Sequence, residues 1–209
     1  MNYTQLVAEI QSYTENQFQT ADINTFIEEA EQRIYNSVQL PALRKNVTGS
    51  VTASNKYLAA PSDWLATFSL AVIDASGNYT YLLDKDVNFI REAYRSGTET
   101  GLPIYYALFD QNTFILGPTP DSAYSMELHY FYYPESIVTA GTSWLGDNFD
   151  STLLYGSLLE AYTYMKGEAD VIAQYQKRYD EAMGLLKQLG DGKNRRDAFR
   201  NGQVRIPVV

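Results

Sequence analysis

The sequence contains one histidine and no cysteine, which limits the chemistry that its side chains can perform. His129 lies between Leu128 and Tyr130, in a segment that predicts a β-strand. A zinc site of histidine and cysteine ligands needs several such residues, so one histidine cannot build it. A Ser-His-Asp triad would have to use His129, and no Gly-x-Ser-x-Gly elbow accompanies it. We therefore interpret His129 as an ordinary strand residue.

Pairs of carboxylates remain as catalytic candidates, because a glycosidase needs only two of them. The candidates are Asp84 with Asp86, Asp147 with Asp150, and Glu127 across a strand. Asp86 and Asp150 also stand where helices are predicted to begin, and 25 acidic residues bring some pairs together by chance. We favour structural roles for all of them. A hydrolase would instead predict an acidic pocket with a raised carboxyl pKa.

Motifs that hold cofactors are absent from the sequence. It has neither a Gly-x-x-x-x-Gly-Lys-Ser/Thr phosphate loop nor a Gly-x-Gly-x-x-Gly segment. Asp110-Gln111-Asn112 is similar to the start of a calcium loop, but it lacks the glycine and the later glutamate of that motif. A hairpin turn explains it better. We predict no cofactor, no metal and no enzymatic activity.

Aromatic residues are abundant, with 18 tyrosines, 9 phenylalanines and 2 tryptophans. They cluster at 105–106 and 130–133, in predicted strands. Such runs could stack on a glycan or on nucleic acid, but neither run contains the interleaved Lys or Arg that is typical of nucleic-acid binding. We expect one face of each strand to be core and the other to meet a neighbouring protein. A glycan-binding module is the alternative.

Charge is distributed unevenly along the chain. The net charge is −9, which argues against a surface that grips nucleic acid. The last twenty residues, Gly190–Val209, hold five basic and two acidic residues and carry +3. Subtracting +3 from −9 leaves −12 on the other 189 residues. The sequence thus combines an acidic body with a basic tail.

The tail is predicted to be an extended arm that binds a partner. Its apolar end favours docking against protein, either as a strand added to a neighbour's sheet or in a groove. Its cations could instead touch DNA in a channel or an acidic protein surface, and a tail without a fixed partner is also open. The predicted binding residues are Lys193, Arg195, Arg196, Phe199, Arg200, Val204, Arg205, Ile206 and Val208.

Apolar residues recur at helical spacing at both ends of the chain and predict four helices. Asn2 or Thr4 can cap the first, Pro41 stops the second, and Gly190 and Gly192 are predicted to end the last. The stripe residues are Leu6, Val7, Ile10 and Tyr13; Ile23, Phe26, Ile27, Ala30, Ile34 and Val38; Leu154, Leu158, Ala161 and Met165; and Ile172, Tyr175, Tyr179, Met183 and Leu186.

The middle of the chain alternates apolar and polar residues and predicts six or seven short strands, with one short helix from Asp86 to Tyr94. The predicted fold class is therefore α+β. Residues 1–42 and 147–190 each supply two helices of an antiparallel bundle, and 43–146 form an inserted small antiparallel β barrel or sandwich. Residues 191–209 form the arm.

Nothing in the sequence predicts a membrane association. No stretch approaches the unbroken apolar length that spans a bilayer. The first residues, Met1–Gln5, lack the basic start and the apolar middle of a signal peptide.

Several segments together match the pattern of one known family. They are 57–64, Leu116-Gly117-Pro118-Thr119-Pro120, 126–134, 153–162, and the last helix through Tyr175, Tyr179 and Leu186. With the order of the predicted elements, they resemble phage head–tail adaptor (connector) proteins. The likeness covers nearly the whole chain. It consists of structural patterns, without a catalytic signature.

The resemblance implies a structural protein of the virion at the head–tail junction, made in the cytoplasm of the bacterial host. It implies a homo-oligomeric ring, usually of twelve copies, beneath the portal protein. The C-terminal segment would reach toward the portal, and the opposite side would receive a tail or nozzle protein. Genomic DNA would pass through without sequence-specific binding. We expect the acidic body to keep the channel wall from adhering to this DNA.

Overall fold

The computed structural model describes residues 1–96 and 98–193, with the side chain of Lys193 left out. The described chain is α+β, as predicted, with seven α-helices, a 3₁₀ turn at Pro41–Leu43 and eight strands. The helices are α1 (Tyr3–Thr14), α2 (Thr20–Ser37), α3 (Val87–Ala93), α4 (Ile137–Ala140), α5 (Trp144–Asn148), α6 (Asp150–Tyr164) and α7 (Ala169–Lys193). The strands are β1 (Arg44–Val51), β2 (Tyr57–Ala59), β3 (Ala66–Ile73), β4 (Tyr79–Tyr81), β5 (Leu83–Asp84), β6 (Tyr105–Asp110), β7 (Thr113–Gly117) and β8 (Tyr124–Phe131).

The chain divides into two compact units. The helical unit consists of Met1–Leu43 and the described residues from Tyr133 onward, and it contains every described helix except α3. The strand unit is Arg44–Tyr132 and contains α3 and all eight described strands. The strand unit is thus an insertion between two parts of the helical unit.

Helix α6 forms the centre of the helical unit. It packs against α1, α2, α5 and α7, and most of its circumference is buried, which is typical of a helix inside a core. Gly156 permits a close approach of α2 and α7 to this helix, because a Cβ at this position would lie 3.2 Å from the Ala30 Cβ and from the Tyr179 ring. The apolar stripes of α2 and α7 face this central helix, so the two ends of the chain share one core.

The first helix begins with a capping box. The Asn2 side chain accepts a hydrogen bond from the Gln5 N–H at 2.9 Å, and the Gln5 side chain accepts one from the Asn2 N–H at 3.0 Å. Of the two predicted caps, Asn2 is therefore the one used. The Tyr3 N–H donates to the Gly141 carbonyl at 2.9 Å, which ties this helix end to the α4–α5 connection.

Two features of the helical unit differ from the sequence prediction. The short helices α4 and α5 lie where strands and loops were expected, because four or five residues are too few to show a helical period. The predicted stop at Gly190 and Gly192 is wrong, since α7 continues through both glycines to Lys193. A Cβ on Gly190 would lie 2.8 Å from the Gln39 carbonyl oxygen, so this glycine permits close packing instead.

The strand unit contains two four-stranded sheets, with strand orders β1-β8-β3-β4 and β2-β7-β6-β5. All described pairs are antiparallel except β5 with β6. The described residues do not form a closed barrel, so that part of the prediction is wrong. Side chains from both sheets instead share one core, which comprises Val51, Leu70, Val72, Leu82, Tyr106, Phe114, Leu116, Met126, Leu128 and Tyr130.

Two adjacent leucines of α7 test the packing of the helical unit. Leu186 is 0% exposed and Leu185 is 62% exposed. Leu186→Asp places an unpaired charge in the core, so we expect the free energy of unfolding to fall by at least about 3 kcal/mol. Leu185→Asp should change it by less than about 0.5 kcal/mol. Chemical denaturation of both variants measures the difference, and equal effects would show that this face of α7 is not packed.

Candidate interaction surfaces

The structure gives His129 a packing role. It lies on β8, opposite Asn46 of β1 and Ser69 of β3, and its ring meets the Phe68 ring edge-on with centroids 6.0 Å apart. In residues 1–96 and 98–193, no cluster of three or more His, Asp or Glu side chains could hold a metal ion. The histidine therefore supports the outer face of its sheet.

The carboxylates considered as catalytic candidates lie on separate elements: Asp84 on β5, Asp86 before α3, Glu127 on β8, Asp147 on α5 and Asp150 on α6. Asp86 caps α3 by accepting the Asn88 N–H at 2.7 Å, and Asp110 accepts the Asn112 N–H at 3.0 Å in the β6–β7 hairpin. The hairpin interpretation of this segment is thus confirmed. Asp150 lies in the first turn of α6, but the N-cap position belongs to Phe149.

Glu31 is a buried carboxylate that the sequence analysis did not identify. It lies on α2, and its Oε1 accepts the Ile137 N–H at 3.0 Å, which satisfies a free donor at the start of α4. Burial raises the pKa of Glu31, while hydrogen bonds from Ser136 and Ile137 oppose the rise. The sequence does contain a signal for this role, because position 31 falls between Ile27 and Ile34 at helical spacing.

The aromatic runs are divided between core and surface. Tyr106 and Tyr130 are buried in the core of the strand unit, while the Tyr105 ring meets Phe89 of α3 with centroids 5.4 Å apart. The expected core role is confirmed for these two strands, and contact of the other face with a neighbouring protein stays a prediction.

An exposed aromatic pair lies on β4, the edge strand beside β3. Tyr79 and Tyr81 are 50% and 47% exposed, and their rings are nearly parallel with centroids 6.4 Å apart. The Tyr79 hydroxyl donates to Glu127 Oε2 at 3.3 Å, and the carboxylate raises the pKa of this tyrosine. Two parallel rings beside a carboxylate offer a flat surface with a polar margin, which suits a protein or a sugar.

The two sheets of the strand unit leave an open groove on one side. The chain passes from β4 to β5 through Leu82, which connects the sheets at one pair of edges. At the other pair, β1 and β2 are both edge strands, and a cavity of about 310 Å³ lies beside them. We call this cavity the edge groove. It is lined by Val47, Thr48, Gly49, Leu58, Ala59, Ala60, Pro61, Met126 and Leu128.

The predicted arm falls almost entirely outside the described residues. Lys193 is the last residue of α7, and its side chain is not described. The predicted binding residues outside the described range are Arg195, Arg196, Phe199, Arg200, Val204, Arg205, Ile206 and Val208. No helix in the described part of the chain is long and apolar enough to cross a membrane.

Comparison with known families assigns the chain. The family model described as "SU10 adaptor protein", a phage head–tail adaptor family, matches residues 1–207. The chain belongs to this family. A search of curated proteins finds no match to the chain.

Membership supports a structural adaptor role, which confirms the predicted family and the predicted virion and adaptor character of the chain. An adaptor of this family assembles with portal and tail components of the phage. The match ends at residue 207 of 209, so it includes nearly all of the predicted arm. The surfaces of this adaptor, more than any single side chain, are therefore its functional features.

Titration of Glu31 should alter the stability of the adaptor. Because burial raises its pKa in the folded state, the folded chain binds this proton more tightly, and the free energy of unfolding falls as the pH rises from the ordinary glutamate pKa to the raised one. Glu31→Gln retains an acceptor for the Ile137 N–H and removes this titration. We expect the variant to gain stability relative to wild type as the pH rises.

Denaturation curves from about pH 4, near the ordinary glutamate pKa, to about pH 7 measure this difference. Glu29→Gln is the matched control, because it removes an exposed carboxylate from the same helix. A pH-dependent difference for Glu31→Gln that is no larger than that of the control would show that the Glu31 pKa is not raised.

Proposed function

We propose that twelve copies of this chain form a ring that joins the portal of the phage head to the tail. The observation that carries this proposal is the adaptor-family match over residues 1–207. A ring needs two different surfaces on each subunit that meet head to tail and close. The edge groove, the exposed tyrosine pair and the arm are three surfaces that could meet such neighbours. The function is mechanical, and the chain catalyses no reaction.

The arm is the proposed contact with the portal. Its cations are concentrated in residues 193–205, whereas the described chain is acidic, so the arm differs in charge from the body that carries it. Such an arm can bind an acidic or apolar surface of the portal while the acidic body stays outside the contact. The opposite side of the ring would then receive a tail or nozzle protein.

The acidic body is the proposed wall of the DNA channel. Subtracting the +3 of the last twenty residues from −9 leaves −12 on the other 189 residues of each copy, and a ring multiplies this charge. Phosphates and carboxylates repel each other, so a wall of this kind keeps the passing genome from adhering. DNA would pass without sequence-specific contact.

A mixture of the purified chain with portal protein tests the ring and the arm together. Native mass spectrometry should show twelve copies bound to one portal ring. Deletion of Lys193–Val209 should leave the thermal unfolding curve unchanged and weaken portal binding by at least about a hundredfold, because multivalent contacts are lost together.

The matched control keeps the arm at full length and replaces three of its five basic residues, by Arg195→Gln, Arg196→Gln and Arg200→Gln. We expect this variant to bind the portal more weakly than wild type and more strongly than the deletion. Unchanged affinity of the deletion variant would remove the arm from the portal contact, and a chain that never associates with a portal would refute the proposed function.

Glycan binding is a second candidate function, favoured by the parallel rings of Tyr79 and Tyr81. Aromatic platforms of this geometry suit sugars, and Glu127 beside them could accept a hydroxyl proton. Tyr79→Ala combined with Tyr81→Ala should abolish any binding in a glycan array, while the fold is retained because both rings are exposed. Tyr13→Ala, which removes another exposed tyrosine in the helical unit, is the control. If the wild-type chain binds no glycan, the second candidate function is excluded and only the adaptor role remains.

A further inference from the structure

Each of the two edge strands beside the edge groove has one edge that pairs with no other described strand. Strand β1 is eight residues long and has β8 as its only sheet neighbour among the described residues, and β2 has only β7. Between Lys45 and Val51, the outer edge of β1 therefore presents backbone N–H and C=O groups that no described strand pairs with. Proteins usually shorten, charge or cover such an edge, because it pairs with any available strand.

The groove beside this edge is apolar and has room. The Val47 side chain is 37% exposed, although it lies on the same face of β1 as Gly49 and Val51. This face borders the core, to which Val51 belongs. A Cβ built on Gly49 meets no atom within 4 Å, so the glycine leaves space between the two sheets. Met126 and Leu128 form the floor. An added strand with small aliphatic side chains would cover both the edge and the groove.

We propose that residues 204–209 of a second copy add as a strand to β1 and place Val204, Ile206 and Val208 in the edge groove. This inference deepens the proposed function, since it requires copies of the chain to meet as they do in a ring. It assigns the apolar end of the arm to the neighbouring copy and leaves the basic residues 193–200 for the portal.

The alternation of the segment fits one face of an added strand. In a strand, the side chains and the backbone groups both alternate in direction with a period of two. Placing Val204, Ile206 and Val208 in the groove turns Arg205 toward solvent, where its charge needs no partner. A segment that runs parallel to β1 in this register also turns the ring nitrogen of Pro207 away from β1, which proline requires because it has no N–H to donate.

The chain between α7 and residues 204–209 is long enough to extend beyond its own copy. Ten residues, 194–203, separate Lys193 from Val204. An extended chain spans up to about 3.3 Å per residue, so this stretch covers about 33 Å. A chain of this length can extend beyond its own copy. When each copy contributes its segment to the next copy, the same contact repeats around the ring.

Disulfide trapping between single-cysteine variants tests the contact, because the natural chain has no cysteine. Val47→Cys and Ile206→Cys are prepared as separate full-length proteins, mixed and oxidised gently. We expect a mixed disulfide between the two variants, identified by peptide mass spectrometry. Its yield should exceed that of Ser76→Cys with Ile206→Cys by at least about tenfold, because docking raises the local thiol concentration. Ser76 is exposed in the same unit and lies outside the groove.

A second variant fills the groove. Gly49→Leu adds a side chain where the structure has space, so we expect unchanged thermal unfolding. When it is combined with Val47→Cys, the yield of the mixed disulfide should fall to the Ser76→Cys level. A yield that Gly49→Leu leaves unchanged would overturn the groove as the receptor.

Two other outcomes would also overturn the inference. One is an equal yield from the Val47→Cys and Ser76→Cys mixtures. The other is a disulfide that forms only within one chain of a Val47→Cys/Ile206→Cys double variant, which would place the segment in its own groove. None of these readouts involves the portal, so a negative result here with portal binding intact removes this inference and leaves the proposed function.

Discussion

The burial of helix α6 is the constraint on which the helical unit depends. This helix contacts α1 and α2 from the start of the chain and α7 from its end, so it has almost no face left for solvent. A helix that is apolar on most sides is stable only when neighbours cover it. The N-terminal and C-terminal segments must therefore meet before either is stable, and the residues between them are free to form a unit with a core of its own.

The helices of this core could be predicted because their stripes are long. The spacing of Ile23, Ile27 and Ile34 specifies the buried face of α2, and a local pair of polar residues specifies the start of α1. The end of α7 could not be predicted in the same way. Glycine near the end of a helix usually stops it. Gly190 instead provides room for Gln39, which lies against it. The residues around Gly190 in the sequence do not reveal a contact with a position about 150 residues earlier.

The surfaces were predictable only in part. The aromatic pattern correctly placed Tyr106 and Tyr130 in a core, and the arm that the charge pattern indicates stays a prediction. The edge groove could not be read from the sequence, because it depends on which strands end a sheet. The order β1-β8-β3-β4 joins the first and last strands of the unit, and that pairing brings Gly49 opposite Met126. Glu31 was missed although its spacing places it on the buried stripe of α2.

The close contact between Gly190 and Gln39 has a mechanical consequence. A Cβ would not fit between them, so the last turns of α7 lie directly on the backbone that follows α2. The last turns of α7 therefore cannot leave the helical unit without also losing their contact with the residues that follow α2. Force spread over a whole hydrophobic core is resisted cooperatively, whereas force on a single helix end unravels it turn by turn.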